Sequence, residues 1–201
     1  RVLEPEPFDS FLLGQDLRRL RFPLPEFALF SDMMIAREDI PNFQNAFRSG
    51  RSFGRVARIL ARYAYQKIRW GRGTSLVLGN ALAARLYASV LESGVTVRTG
   101  QQVQGLRRNP RGRVDGIELC GGGTIVAEYG VVLATGGFTN DPAMRKKWLP
   151  ASMGNYSATI PGTVGDGIRL AESVGGCFQD GRDGNAFLAP VSRYERRDGS
   201  V

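Results

Sequence analysis

Apolar residues recur at helical spacing over one part of the chain and in short alternating or continuous runs over another. Between residues 52 and 70, Phe53, Val56, Ile59, Leu60, Tyr63 and Ile68 return every three or four positions with arginines between them. That spacing predicts an amphipathic helix whose arginines face water. A second helix is predicted over residues 74–93, where Leu78, Leu82, Leu86 and Val90 repeat every four residues. Thr74 or Ser75 is placed to cap its start and Gly94 to close its end. Gly79 inside this helix costs about 1 kcal/mol relative to alanine, so a strand or a ligand is expected to approach closely there. Asp39-Ile40-Pro41 marks a helix start. Upstream, Pro23 and Pro25 of "RFPLPEF" exclude a helix interior, and residues 1–34 read as an extended, packed arm.

The second half changes period. Residues 95–98 read as a short strand, and residues 101–108 and 113–119 as a hairpin whose turn is supplied by Asn109, Pro110 and Gly112. After "CGGG", residues 124–127 complete a three-stranded antiparallel meander. Val131, Val132 and Leu133 then form a wholly apolar run, as in a strand covered on both faces. The run stops in Ala134-Thr135-Gly136-Gly137, where two missing Cβ atoms permit a sharp turn and the close approach of a large ligand, or mark a tight turn and nothing more. A short helix is expected before Pro150. Gly165-Asp166-Gly167 directly precedes Ile168, Leu170, Ala171 and Val174, at a helix start whose unpaired N–H groups favour a phosphate or another polar group. The plainer alternative is Asp166 as an N-cap. The order of elements predicts an α+β fold derived from α/β.

Composition narrows the chemistry. The 201 residues are 42% hydrophobic and 23% charged, which are globular values, and no apolar run is long enough to span a bilayer. With no secretory leader pattern, a cytoplasmic location is expected. Histidine is absent, which excludes imidazole zinc sites and Ser-His or Cys-His nucleophiles within these residues. Cys120 and Cys177 stand far apart and read as reduced thiols, and no metal site is expected. The net charge of +8 is scattered in short clusters such as Arg107-Arg108 and Lys146-Lys147, so no nucleic-acid partner is expected. A noncatalytic basic module that binds an anionic partner is the alternative to an enzyme.

The segments "GRGTSLVLGNALAARL", "GVTVRTGQQVQGL", "GRVDGIEL", "GVVLATGGFTN" and "GDGIRLAESVGG" resemble, in order, the FAD-dependent fumarate reductase and succinate dehydrogenase flavoprotein family. The arm and "FLAPVSRYERRDGS" look closest to its 3-ketosteroid 1-dehydrogenase-like branch. The resemblance implies FAD as cofactor. It puts Ala134, Thr135, Gly136 and Gly137 against the adenosine half, the backbone of Val103 at the adenine, and Gly165, Asp166 and Gly167 near the chain linking the two halves. Val164 stands where threonine is usual. The implied fold is a fragment of the FAD-binding three-layer fold with the meander and flanking helices. Residues 1–70 would form arm and helix, 71–176 the central and C-terminal part of the FAD-binding domain, and 177–201 the start of a substrate or cap domain. The family's Gly-x-Gly-x-x-Gly turn and its catalytic base are missing, so the chain reads as a central segment that alone neither holds FAD tightly nor turns over. The implied reaction is dehydrogenation or reduction of a carbon-carbon bond beside a carbonyl, on a small-molecule substrate, steroid-like or a dicarboxylate. The catalytic residue stays unknown, since Tyr63, Tyr65, Tyr87, Tyr129, Tyr156 and Tyr194 read as packing residues with satisfied hydroxyls.

Overall fold

A computed structural model describes residues 5–151, 153 and 157–179. The expectations for Tyr156, Tyr194 and "FLAPVSRYERRDGS" lie outside the described residues. The chain divides into two compact units, Arg1–Val97 and Arg98–Val201.

In the first unit the arm is built of 3-10 turns rather than extended chain. A run from Ser10 to Arg19 bends at Gly14 and buries Leu13 and Leu17, and a second turn spans Pro25–Phe27. Strand β1, Phe8–Asp9, pairs antiparallel with β2, Ser75–Leu76. Ser10 donates to the Thr74 carbonyl through both its backbone N–H and its hydroxyl. This pairing holds residues 74–76 in extended chain, so neither Thr74 nor Ser75 caps the helix that follows. Helix α1, Ile40–Gln44, continues a 3-10 turn over Arg37–Asp39. Helix α2, Gly50–Trp70, starts at Ser49, whose hydroxyl accepts from the Ser52 N–H, and ends at Gly71 in the left-handed region.

Helix α3, Leu78–Glu92, follows Val77, which offers no capping side chain, and Gly94 closes it with φ 72°. Its phase differs from the leucine repeat. Ala81 and Ala84 are buried against Leu13, Leu17, Met34, Leu76 and Val77, while Leu78, Leu82 and Leu86 are exposed. The helix is apolar on both sides, so periodicity alone left its orientation open, and the alanines let the arm approach most closely. Nothing lies within 4 Å of a Cβ placed on Gly79, so the neighbour expected there is absent among the described residues. Residues 95–98 form no strand.

The loop before α1 is held by one carboxylate. Asp32 is 1% exposed and accepts from Tyr63 Oη at 2.6 Å, Lys67 Nζ at 3.0 Å and the Gly73 N–H at 3.0 Å. Gly73 is needed for this contact, because a Cβ there would stand 2.8 Å from the Asp32 carbonyl oxygen. Phe30 and Ser31 sit at positive φ beside it, a backbone cost that the buried anchor sustains. Nearby Arg72, also buried, donates to the carbonyls of Leu17, Leu20 and Arg21.

In the second unit β3, Val103–Arg108, β4, Val114–Leu119, and β5, Thr124–Val126, pair antiparallel in chain order. Asn109 Oδ1 accepts from the N–H groups of Arg111 and Arg113 and shapes the first turn, with Gly112 at φ 78°. Helix α4, Pro142–Trp148, is capped by Asp141, and α5 spans Asp166–Ser173. The expected buried strand over 131–134 is not one: these residues pair with no strand among the described residues, and Val132 is 91% exposed. An apolar run becomes a covered strand only where neighbouring strands and helices lie against it, and no described residue supplies them.

Burial pushes the Asp32 carboxyl up, but the hydrogen bonds from Tyr63, Gly73 and Lys67 outweigh it and hold the group below its ordinary 3.8. Its contribution to stability is therefore present above the unfolded carboxylate's pKa and lost as pH falls through the lower folded value. Asp32→Asn is expected to cost about 2 kcal/mol at neutral pH, since three donors lose a charged acceptor. It should also flatten the acid limb of stability below pH ~4. Urea titrations from neutral to acid pH measure both, and acid limbs of equal slope would show that another group sets the dependence.

Candidate functional site

The two glycine-bearing turns singled out in the sequence meet in the second unit. The Gly165 N–H donates to the Gly137 carbonyl at 2.9 Å, and the Asn140 N–H donates to the Thr163 carbonyl at 3.0 Å. A polar cluster secures the same junction. Asn140 Nδ2 donates to Thr163 Oγ1 at 2.7 Å and to the Ile160 carbonyl at 2.6 Å, and the hydroxyls of Thr139 and Thr159 lie 2.6 Å apart. Phe138 is buried beneath these bonds and meets Phe178 edge to face.

Both flanking glycines of "GDG" are required sterically. Gly165 has φ 83° and serves as the N-cap of α5, and a Cβ on it would overlap the Met144 side chain and lie 3.2 Å from Phe138 Cβ. A methyl on Gly167 would overlap Thr135 Oγ1. The missing side chain at 167 thus lets the Thr135 turn sit directly on the first turn of α5. Gly136, at φ 80°, turns the backbone there.

The result is an open cleft of about 240 Å³, lined by Leu133, Thr135, Gly136, Gly167, Ile168 and Ala171 among others. Gly137 borders open space, with no atom within 4 Å of a Cβ built on it. Ala134, Thr135, Gly136 and Gly137 are all exposed. A groove floored by glycine backbone, with a threonine hydroxyl at its edge and the N-terminus of α5 beside it, accepts a flat or polar-linked ligand at close range. These residues fit one side of a dinucleotide-type cofactor.

Asp166 is placed differently from the expected cap. Its side chain is 68% exposed, makes no capping hydrogen bond, and pairs with Arg169 Nη1 at 3.3 Å. Because Gly165 already occupies the N-cap position in left-handed conformation, Asp166 becomes the first helical residue, and its carboxylate accepts from Arg169. Arg169 was not singled out from sequence, yet it ties the site together. It also pairs with Asp141 and donates to the Val164 carbonyl at 2.7 Å. Asp141 accepts the Met144 N–H at 2.7 Å, and this bond, with Arg169 beside it, holds its carboxyl below the usual range.

Val103 does not line this cleft. It opens β3, whose far end reaches α5: Arg108 donates to the Val174 carbonyl at the C-cap. Five residues of extended strand, about 17 Å, separate the two ends of β3. The tyrosines divide. Tyr63 binds Asp32 and its hydroxyl is pushed up to about 12, chiefly by burial and then by that carboxylate. Tyr87 donates to Asp16 at 3.2 Å. Tyr65 is largely exposed but meets Trp70 edge to face, and Tyr129 is exposed. A second hollow of about 270 Å³ in the first unit is bordered by the Asp39–Arg55 and Asp9–Arg62 pairs, whose charges offset each other.

Gly167→Ala is expected to cost about 1–3 kcal/mol, because its methyl must displace Thr135 from a packed junction. Thr135→Ala in the same chain should recover part of that loss. Thermal or urea melts of the two single variants and the double variant measure the coupling, and strict additivity would mean that the two turns are not in contact.

Comparison with known proteins gives one consistent result. Residues 14–201 match the family described as FAD binding domain. The chain is 31% identical over 206 residues to 4-oxocyclohex-2-ene-1-carboxylate 5-dehydrogenase of Sinomonas cyclohexanicum, covering 99% of this chain and 34% of that protein. It is 30% identical over 189 residues to 3-oxosteroid 1-dehydrogenase of Mycolicibacterium smegmatis, covering 89% and 32%. The crystal structure of 3-ketosteroid delta1-dehydrogenase from Sterolibacterium denitrificans in complex with 1,4-androstadiene-3,17-dione superposes with a TM-score of 0.66 at 30% identity, covering 86% of this chain and 32% of that one. The chain spans about a third of the length of the relatives it matches.

Proposed function

The chain belongs to the FAD binding domain family, and on that premise we propose that it is part of a flavoprotein oxidoreductase that removes two hydrogens across a carbon-carbon bond beside a ring carbonyl. The observation that carries the reading is the seating of the Thr135–Gly136–Gly137 turn on the glycine-flanked start of α5, with open space over Gly137. FAD, when bound, supplies the hydride acceptor, and the protein supplies position and electrostatics.

The family resemblance supplies the roles of the chain's own residues, and the cleft lined by Thr135, Gly136 and Gly167 supports them. Ala134, Thr135, Gly136 and Gly137 present backbone and one hydroxyl to the adenosine half. Gly165 and Gly167 let the start of α5 pack against Met144, Phe138 and Thr135, which sets its N-terminus beside the cleft where the polar linker passes. The exposed Asp166 carboxylate accepts from a ribityl or ribose hydroxyl, oriented by Arg169. Val164, in place of threonine, contributes its carbonyl to Arg169 and no hydroxyl to the ligand. The backbone of Val103 meets the adenine. Residues 71–176 form the central and C-terminal part of the cofactor domain in a three-layer fold, and residues 177–201 begin a substrate or cap domain. The substrate is a cyclic ketone, which is the class named in the relatives' activities: a 3-oxosteroid and an oxocyclohexene carboxylate.

The whole protein is expected to carry FAD, visible as flavin absorbance, and to reduce an artificial electron acceptor with a 3-ketosteroid or a 4-oxocyclohexane carboxylate. A colourless protein that gains no absorbance on FAD addition would end the proposal. Two substitutions test the residue roles. Gly137→Ala has room in the fold and ordinary φ, so apoprotein stability should stay within about 0.5 kcal/mol, while FAD affinity falls about tenfold or more as the methyl enters the cleft. Asp166→Asn should weaken FAD retention by about tenfold to a hundredfold, the range for one charged hydrogen bond, again at unchanged apoprotein stability. FAD titrations followed by thermal shift read both, and affinities equal to wild type would return these residues to a purely structural role.

A further inference from the structure

Helix α2 carries a second surface that the cofactor site does not use. Its 21 residues hold five arginines and one lysine and no acidic residue. Three of these cations are committed inward or to neighbours: Lys67 to Asp32, Arg55 to Asp39, and Arg62 to Asp9. Arg51, Arg58 and Arg69 have no carboxylate partner among the described residues. Their spacing, i, i+7 and i+18, sets them in one row along the helix.

Beside that row runs an uncovered apolar stripe. Phe53, Ala57, Leu60, Ala61, Ala64 and Ile68 fall on one face at helical spacing and are all exposed. Phe53 is 57% exposed, Ile68 87%, and Phe47, just before the helix, 98%. From Phe53 to Ile68 the stripe is about 22 Å long. The buried positions of α2, Val56 and Gln66, lie on the side that adjoins Phe53 and Leu60, so the stripe borders the packing face of the first unit and is itself exposed.

We propose that α2 is an interfacial helix that lies on an anionic lipid surface. Phe53, Leu60 and Ile68 enter the boundary between headgroups and acyl chains while Arg51, Arg58 and Arg69 meet lipid phosphates. A long apolar stripe beside arginines without carboxylate partners, one of them, Arg69, resting over the Trp70 ring, is what such a surface binds, since it offers apolar depth and negative charge side by side. Nucleic acid would neutralise the arginines and leave the phenylalanine and isoleucine in water. A second copy of the same helix would bring two wholly cationic segments together. The helix does not cross the bilayer: among the described residues no helix is long and apolar enough to do so.

Vesicle flotation of the whole protein tests this. Phosphatidylcholine vesicles containing phosphatidylglycerol should carry the protein, phosphatidylcholine vesicles alone should carry about tenfold less, and high salt should release most of it. Phe53→Ser with Ile68→Ser should lower partitioning by about tenfold or more, and Arg58→Gln with Arg69→Gln should lower it on the anionic vesicles only. Because these side chains are exposed, the far-ultraviolet dichroism and melting temperature of the variants should match wild type, which separates lost binding from lost folding. No flotation with either vesicle, flotation indifferent to the apolar pair, or a dimer in light scattering that the same pair dissociates would overturn the proposal.

Discussion

A side chain at position 167 would overlap the Thr135 hydroxyl, and the junction of the two turns is arranged around that constraint. With no Cβ there, Thr135 rests on the first turn of α5. The Gly165 N–H then reaches the Gly137 carbonyl and the Asn140 N–H reaches Thr163, which turns two separate loops into one short ladder. Gly165 completes the fit by entering the left-handed region, so the helix begins sharply against Phe138 and Met144. The cleft is what remains between the two turns. Its glycine floor follows from backbone packing that must be close before any ligand arrives, so the same residues serve fold and site.

Charge is used in the two units for the same mechanical purpose. In the first, the Asp32 carboxylate gathers a tyrosine, a lysine and a backbone N–H from α2 and the loop after it. In the second, Arg169 spans Asp141 at the start of α4 and Asp166 at the start of α5. A buried carboxylate with several donors is well satisfied and costly to disturb. A mostly exposed one, such as Asp166, contributes little to stability through its ion pair. That difference is why Asp32 reads as an anchor and Asp166 as a group free to meet a ligand.

The hairpin of β3 and β4 was legible because Asn109 and Gly112 encode their turn locally, through an Asx-type bond and a positive φ. The close pairing of the Thr135–Gly137 turn with Gly165 and Gly167 was legible only in part. The glycines announced tight turns, but nothing local said that the two turns touch each other. Three features were not legible for one shared reason. The burial of Ala81 and Ala84 instead of the leucines, the loss of Thr74 and Ser75 to a strand pair, and the exposed course of residues 131–134 all depend on which distant segment lies alongside. Arg169 was missed because a single arginine in a basic chain carries no signal until its two carboxylates are placed.

Two exposed apolar faces, α3 and α2, differ in a way that separates packing from surface chemistry. The outward side of α3 bears Leu78, Leu82 and Leu86, and its one basic neighbour, Arg85, turns to Glu6 and the Pro7 carbonyl. A leucine face without a free charge row is of the kind that another layer of a fold covers, in keeping with relatives about three times as long. Leu78 also holds φ 53°, a strained start that a covering layer can stabilise. The stripe on α2 is edged instead by Arg51, Arg58 and Arg69. Burying such a row beneath another protein layer would desolvate three guanidinium groups and require three new partners, whereas a lipid headgroup region keeps them hydrated and supplies phosphates. The charge beside an apolar face, more than its size, decides what can cover it.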